Sequence, residues 1–362
     1  MYRGIYNLRS ADDNIILTAE QLEESIKCSK DPVYFFRNYC YIHNARQGLH
    51  LFQPRPRQLA EIPVLSSEKM VKSDWYRQSG YTTLVLALML WKAMFTANTA
   101  CLYMIPKKEL AYENFNEKVR QMYLALPEWL QTGVKEWTHE RIRLANGSIF
   151  CAKAASADNA AGIGWDYIFI DEFGWIKDKA MMEIVNRLFP VAWSSKKQHL
   201  ILGQSHRFGR QTPANLLFWQ NNTLPFHVSE FTWDQDERLD AKWAEAERLR
   251  IGDRNFEKQY CGKIEMKDDP DGLPEQFGRW TVWAEGKFPD VKERSGGRYI
   301  CTVAMFSRST GLPVGTPHID VLAADGNGVF HGLFSDDGTY EKVVAWMPAP
   351  EIPGEVREIY GE

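Results

Sequence analysis

The sequence is poor in the features that announce a metal centre, a disulfide scaffold or a membrane protein. Only six of its 362 residues are cysteine, and Cys28, Cys40, Cys101, Cys151, Cys261 and Cys301 never fall into CxxC spacing. That scatter argues against a disulfide framework or a zinc site and suits a reducing compartment. Eight histidines stand apart from one another without ligand spacing, which leaves them ordinary core or surface roles. The most apolar run, 81–94, is too short to span a bilayer and contains Lys92. The opening MYRGIYNLRSADDN lacks the basic-then-apolar layout of a signal peptide. Internal repeats and low-complexity tracts are missing, so solenoids drop out. Excess positive charge is missing too, since 43 Lys and Arg against 47 Asp and Glu leave −4. No bulk charge marks a nucleic-acid binder, although a local basic stripe suffices for DNA contact. What remains is an ordinary globular composition, 44% hydrophobic and 25% charged, long enough for two or three domains. The expectation is a soluble intracellular protein.

Residues 1–44 read as a helical segment in which Thr18 caps AEQLEESIKCSK and Asp31-Pro32 opens an aromatic stretch. FQPRPRQ (52–58) reads as irregular chain. Strand and helix patterns then alternate. Residues 69–75 suit a strand, RQSG a turn, and 81–98 a helix apolar on nearly every side. Further strands are expected at 99–105, 149–154, 165–170 and 198–202, with helical stretches at 107–125 and 236–263. This alternation predicts an α/β fold, a mostly parallel sheet with helices on both faces, across 45–263. Residues 264–295 read as a turn-rich linker, and 296–362 as a strand-and-turn tail.

Two segments carry candidate chemistry. Tyr167-Ile168-Phe169-Ile170-Asp171-Glu172 is an apolar strand ending in adjacent carboxylates, at the sheet edge where ligands bind in such folds. In an NTPase the first carboxylate would hold Mg2+ and the second would orient and deprotonate the attacking water. The bland alternative is a strand end with a solvated acidic pair. About 90 residues earlier, Arg77-Gln78-Ser79-Gly80-Tyr81-Thr82-Thr83 follows a strand and opens a helix, as a phosphate-binding loop does. Backbone N–H groups of Gln78 to Thr83 would cradle a triphosphate, with the Thr82 hydroxyl on Mg2+. A structural turn before a buried helix accounts for the same residues, and only the order and distance to Asp171-Glu172 set the two apart.

With those segments in place, the sequence resembles the large subunit of tailed-bacteriophage terminases, T4-like type. The resemblance covers nearly the whole chain: DPVYFFRNYCYI with QGLHLFQPRPRQ, RQSGYTT, PKKELAYENFNEKVRQMYLALPEWLQ, and RIRLANGSIFCAKAASADNAAGIGWDYIFIDEFGWI, the last being the most specific. It implies a P-loop NTPase of the ASCE/RecA-like kind, followed by a small C-terminal β-rich remnant of an RNase H-like domain. The cofactors implied are ATP and Mg2+. Asp171 and Thr82 would hold the metal, Glu172 would be the catalytic base, Arg77 the arginine near the γ phosphate, and Gln58 a reader of adenine. Gln204 or Ser205, in LILGQSHRFG, would sense the γ phosphate at the coupling position; a plain strand-to-loop transition fits that segment equally.

The chain departs from the terminase pattern at several of these places. Tyr81 stands where the loop lysine is usual, and Lys72 lies earlier, inside the strand. Ala160-Ala161-Gly162 lacks the arginine that usually precedes the glycine, and the coupling threonines are replaced. In the tail, Ala304 occupies the place of a metal-binding aspartate, and the chain ends before the remaining nuclease carboxylates, so no nuclease activity is expected of it. Arg55, Arg57, Arg207 and Arg210 have the chemistry to meet phosphates, DNA or a neighbouring subunit. One functional reading is an ATP-driven translocase of double-stranded DNA. Its partners would be the viral genome, the portal protein, a small terminase subunit and further copies in a ring. It would act without a membrane, in the cytoplasm of the infected bacterial host at the procapsid portal. The other is a catalytically degenerate relative with a structural or regulatory part in the packaging assembly.

Overall fold

The computed structural model describes residues 1–44, 48–204 and 226–261, and beyond them the strands at 281–282, 298–307, 318–324, 330–331 and 339–348. The described residues fall into two compact units, one holding Met1–Ile184, 192–204 and 226–261 and the other holding Val185–Val191 and the later strands.

In the first unit, α1 (Ala19–Lys30) starts at Thr18, whose hydroxyl accepts from Gln21 N while Gln21 Oε1 accepts from Thr18 N. This reciprocal pair satisfies orphan donors at the helix start. Asp31 caps α2 (Pro32–Asn38) by accepting from Val33 N at 2.8 Å, with Pro32 at the first helical position. A short hairpin, β1 (Tyr41–Asn44) with β2 (Gly48–Leu51), ends the segment expected to be helical. The stretch expected to be irregular instead enters α3 (Pro56–Ser67), because Pro56 suits a first turn.

A sheet in the order β10-β3-β9-β8-β4-β7-β6-β5 forms the centre of this unit. Its strands are β3 (Met70–Trp75), β4 (Ala100–Ile105), β5 (Val134–Trp137), β6 (Arg141–Leu144), β7 (Ile149–Ala154), β8 (Tyr167–Ile170), β9 (His199–Gln204) and β10 (His227–Phe231). All neighbours from β10 to β7 pair in parallel, and β6 and β5 add an antiparallel edge. The sequence reading missed that edge and β10. Helix α4 (Tyr81–Phe95) connects β3 to β4 and buries Leu84 to Leu90 without a break. Each such aliphatic side chain contributes roughly 1.5–3 kcal/mol on burial, so the helix is fixed from all sides. After β4, α5 (Lys108–Asn114) runs through a wider π-helical turn, Phe115–Arg120, into α6 (Gln121–Leu124). Short α7 (Ala157–Ala160) and long α8 (Asp178–Ser194) flank β8 in sequence. The helix expected over 236–263 begins at Ala241, since Asp240 caps it, and breaks at Gly252 (φ 83°). It comprises α9 (Ala241–Ile251), α10 (Asp253–Phe256) and a π turn to Cys261.

The second unit contains a sheet in the order β11-β15-β12-β13-β14, antiparallel at every pairing. Its strands are β11 (Thr281–Val282), β12 (Arg298–Ser307), β13 (His318–Ala324), β14 (Phe330–His331) and β15 (Thr339–Pro348). Among the described residues no helix is long and apolar enough to cross a membrane.

Candidate active site

The parallel order places the ends of β3, β9, β8 and β4 side by side, so the segments leaving them share one edge. A cavity of about 710 Å³ opens there, lined by Trp75–Thr83, Ile105–Lys107, Leu110, Lys118, Asp171, Glu172, Trp175, Gln204 and Gln259. That volume lies in the range of small-molecule sites.

The loop between β3 and α4 is held from several directions. Tyr76 N donates to Phe231 O at 2.8 Å and Arg77 N to Gln259 O at 2.9 Å. Gln78 (φ 67°) and Gly80 (φ 81°) take left-handed conformations, which glycine tolerates and glutamine does not favour. Gly80 brings no side chain to cap α4, so the first-turn N–H groups have no side-chain acceptor from that position. Behind the loop, Arg55 donates to Ser79 O, and Gln58 Nε2 donates to Ser79 O at 3.4 Å. A Cβ on Gly80 would stand 2.9 Å from Gln58 Nε2, so this close approach also requires glycine. Arg55 and Tyr76 both donate to Asp236, and Arg238 adds donors to it at 2.9 and 3.0 Å. Asp236 is buried, yet donors from Arg238 and Tyr76 and the charge of Arg55 outweigh that burial and hold its carboxyl well below the usual range.

At the end of β8, Asp171 accepts from Thr82 Oγ1 at 2.8 Å and from Tyr103 OH at 3.4 Å. Its backbone N donates to Met104 O at 2.8 Å. Burial, then the neighbouring charge of Glu172, pushes the Asp171 carboxyl up to about 7. Glu172 turns out of the strand at φ 50°, again left-handed, and lines the same cavity. A hydroxyl and a carboxylate in contact are hard oxygen donors of the kind Mg2+ takes, and a cation beside the raised carboxyl would return it to its charged form.

Residues 77–201, which hold the loop and both carboxylates, match the family described as terminase large subunit, T4likevirus-type, N-terminal. Over that stretch the chain is similar to that family. Among solved structures, the large terminase ATPase domain of Thermus phage P74-26 is similar at 18% identity and a TM-score of 0.42, covering 59% of this chain and 94% of that one. The large terminase of bacteriophage HK97 is similar at 14% identity and a TM-score of 0.45, covering 83% of this chain and 66% of that one.

The terminase-derived expectations separate in space. Arg77, Gln78, Ser79, Gly80, Tyr81, Thr82, Thr83, Asp171, Glu172 and Gln204 all line the cavity. Gln58 does not; it is buried behind the loop. Ser205, Arg207 and Arg210 lie outside the described residues. Tyr81 directs its ring into the core, 4.8 Å from Trp75 and 6.2 Å from Phe169 between ring centres. Burial, with the charge of Glu61, holds its phenol well above the ordinary value. Lys72 is buried inside β3 and is absent from the cavity wall; burial lowers its pKa while the charge of Glu230 opposes that. Sequence reasoning missed Asp236, Gln259, Tyr103 and Lys118. The last lies inside PKKELAYENFNEKVRQ, part of the helical stretch expected over 107–125.

Proposed function

We propose that the first unit is an ATP-binding motor domain of the DNA-packaging terminase type, taking Mg2+-ATP on the 76–83 loop. The observation that carries this reading is the 2.8 Å contact of Thr82 with Asp171 beside Glu172, on one cavity wall with the loop, inside the segment that matches the terminase family. Bound Mg2+ would supply positive charge to the β and γ phosphates; Thr82 and Asp171 are the residues to hold it. The N–H groups opening α4 offer donors to phosphate oxygens, and the helix dipole adds to them. Glu172 would orient the attacking water and accept its proton, and Arg77 would stabilise charge at the γ phosphate. Gln204, with Ser205 after it, would report on that phosphate.

The reading extends to double-stranded DNA, portal and small-subunit partners and a ring of copies at the procapsid portal in the host cytoplasm. It treats 1–44 as an N-terminal segment, 45–263 as the ATPase domain, 264–295 as a linker and 296–362 as a truncated nuclease-like β-rich tail. In that tail Ala304, on β12, cannot ligate a metal, which supports a chain without nuclease activity. A second reading, a degenerate relative that keeps the fold without turnover, is favoured by one observation, the inward-facing Tyr81.

Steady-state ATP hydrolysis with and without double-stranded DNA, beside Glu172→Gln, tests the first reading. Turnover abolished by Glu172→Gln is expected. Nucleotide binding without turnover in the unaltered chain would favour the second reading, and cleavage of plasmid DNA would show that the chain is a nuclease after all.

A further inference from the structure

We propose that Lys118 supplies the positive charge that the phosphate loop lacks, donating to the β- and γ-phosphoryl oxygens of a bound nucleoside triphosphate. The inference rests on the nucleotide reading above and adds the cation which that reading leaves unassigned.

A loop that cradles a triphosphate has to neutralise several negative charges, and Mg2+ meets only part of them. Tyr81 contributes none, because a phenol carries no positive charge, and its ring packs against Trp75 and Phe169. Lys72 is buried in β3, away from the cavity wall, with the Glu230 charge acting on it. Among the described residues three cations line the cavity: Arg77, Lys107 and Lys118. Arg77 is exposed, and its guanidinium donates to Gln259 Oε1 at 3.2 Å. Lys107 is exposed just beyond β4. Lys118 is half-buried and held: its Nζ donates to Asn114 Oδ1 at 3.1 Å.

That bond connects the ammonium to the carboxylate end of the site. Asn114 Nδ2 donates to Tyr103 OH at 3.1 Å, Tyr103 OH donates to Asp171 Oδ2 at 3.4 Å, and Thr82 donates to the same oxygen. The Lys118 charge also acts to lower the Asp171 pKa, as a cation near that carboxyl must. An ammonium has three donors and Asn114 takes one, which leaves capacity for two phosphate oxygens. The backbone is consistent with this use. Lys118 sits on the π-helical turn between α5 and α6, and such turns shift the phase of a helix and recur at functional sites. Phe115 and Val119, both fully buried, fix the turn against the core.

The test is calorimetric titration of the full chain with ATP, ADP and AMP, with Mg2+ present, for the unaltered protein and for Lys118→Ala, Lys118→Arg and Lys135→Ala, the last on β5 away from the cavity wall. Lys118→Ala is expected to weaken ATP roughly ten- to a hundredfold and AMP less than about twofold, the scale of losing a charged hydrogen bond. Lys118→Arg should recover most of the loss, Lys135→Ala should stay within about twofold of the unaltered chain, and the melting curve of unliganded Lys118→Ala should coincide with that of the parent. Unchanged ATP affinity in Lys118→Ala, or equal weakening of ATP and AMP, would overturn the inference while leaving the nucleotide reading intact. Failure of the unaltered chain to bind any of the three nucleotides would overturn both.

Discussion

Thr82 Oγ1 and Asp171 Oδ2 meet at 2.8 Å, which ties the first turn of α4 to the end of β8 across 89 residues of sequence. A hydroxyl that serves as a Mg2+ ligand adds to nucleotide affinity only when the metal is there. Thr82→Val keeps the side-chain shape and removes that ligand. Its ATP affinity should match the unaltered chain within about twofold in EDTA and fall roughly tenfold with Mg2+. Calorimetry in the two buffers checks this, and equal losses in both would make the hydroxyl a structural group only.

Asp171 also sets a pH dependence. Burial and Glu172 raise its carboxyl from 3.8 to about 7. Between those values the folded state keeps a proton that the unfolded chain has released. More protons bound in the folded state means that stability falls as pH rises through this window. Asp171→Asn has no proton to lose. The melting temperature of the unliganded parent should therefore decline relative to Asp171→Asn across the window, leaving the variant the more stable near about pH 8. Parallel curves would show that this carboxyl titrates with its ordinary value.

Much of the sheet was legible because its signals are local. Ile149–Ala154 has the bounds its pattern predicts, and β3, β4 and β8 lie within one or two residues of theirs. The carboxylate pair and the loop were legible for the same reason, each being a strand followed by its own turn. Side-chain destinations were not. Arg55 and Arg57 had the chemistry for DNA or phosphate, yet Arg55 donates to Asp236 and Arg57 to Glu61 at 2.9 Å and Ser229 at 2.9 Å. Arg57 and Glu61 are an i,i+4 pair on α3, but Asp236 and Ser229 lie 181 and 172 residues from their arginines, and no periodicity encodes such pairings. β10, whose burial pattern is mostly exposed, offered no apolar run to find.

Asp236 is the anchor that pattern reading could not see. It is 3% exposed and receives donors from Arg55, Tyr76 and Arg238, two of which reach the loop. Asp236→Ala leaves the Arg55 guanidinium without its carboxylate partner and frees Tyr76 beside the phosphate loop. Breaking a buried ion pair from one side costs about 3–5 kcal/mol. Chemical denaturation should show a loss of that size, with nucleotide affinity falling in parallel. A loss below about 1 kcal/mol, the value of an exposed pair, would mean that the cluster is solvated.

Restoring a lysine at Tyr81 is the obvious repair of the loop, and the structure argues that it fails. The Tyr81 ring is 6% exposed and packs between Trp75 and Phe169. Its hydroxyl lies near Ser73 but makes no hydrogen bond of good geometry with any described residue. Tyr81→Phe should therefore change stability by about 1 kcal/mol or less. Tyr81→Lys instead removes an aromatic ring from the core and asks an ammonium to occupy apolar space or the helix start to reorganise. Loss of a buried aromatic side chain alone costs about 3–5 kcal/mol, and an unpaired buried charge adds to it. Denaturant midpoints for the unaltered chain, Tyr81→Phe and Tyr81→Lys should thus fall in two groups, with only the lysine variant displaced. A lysine variant as stable as the parent, binding ATP more tightly, would show that the first turn of α4 can redirect this side chain into the cavity.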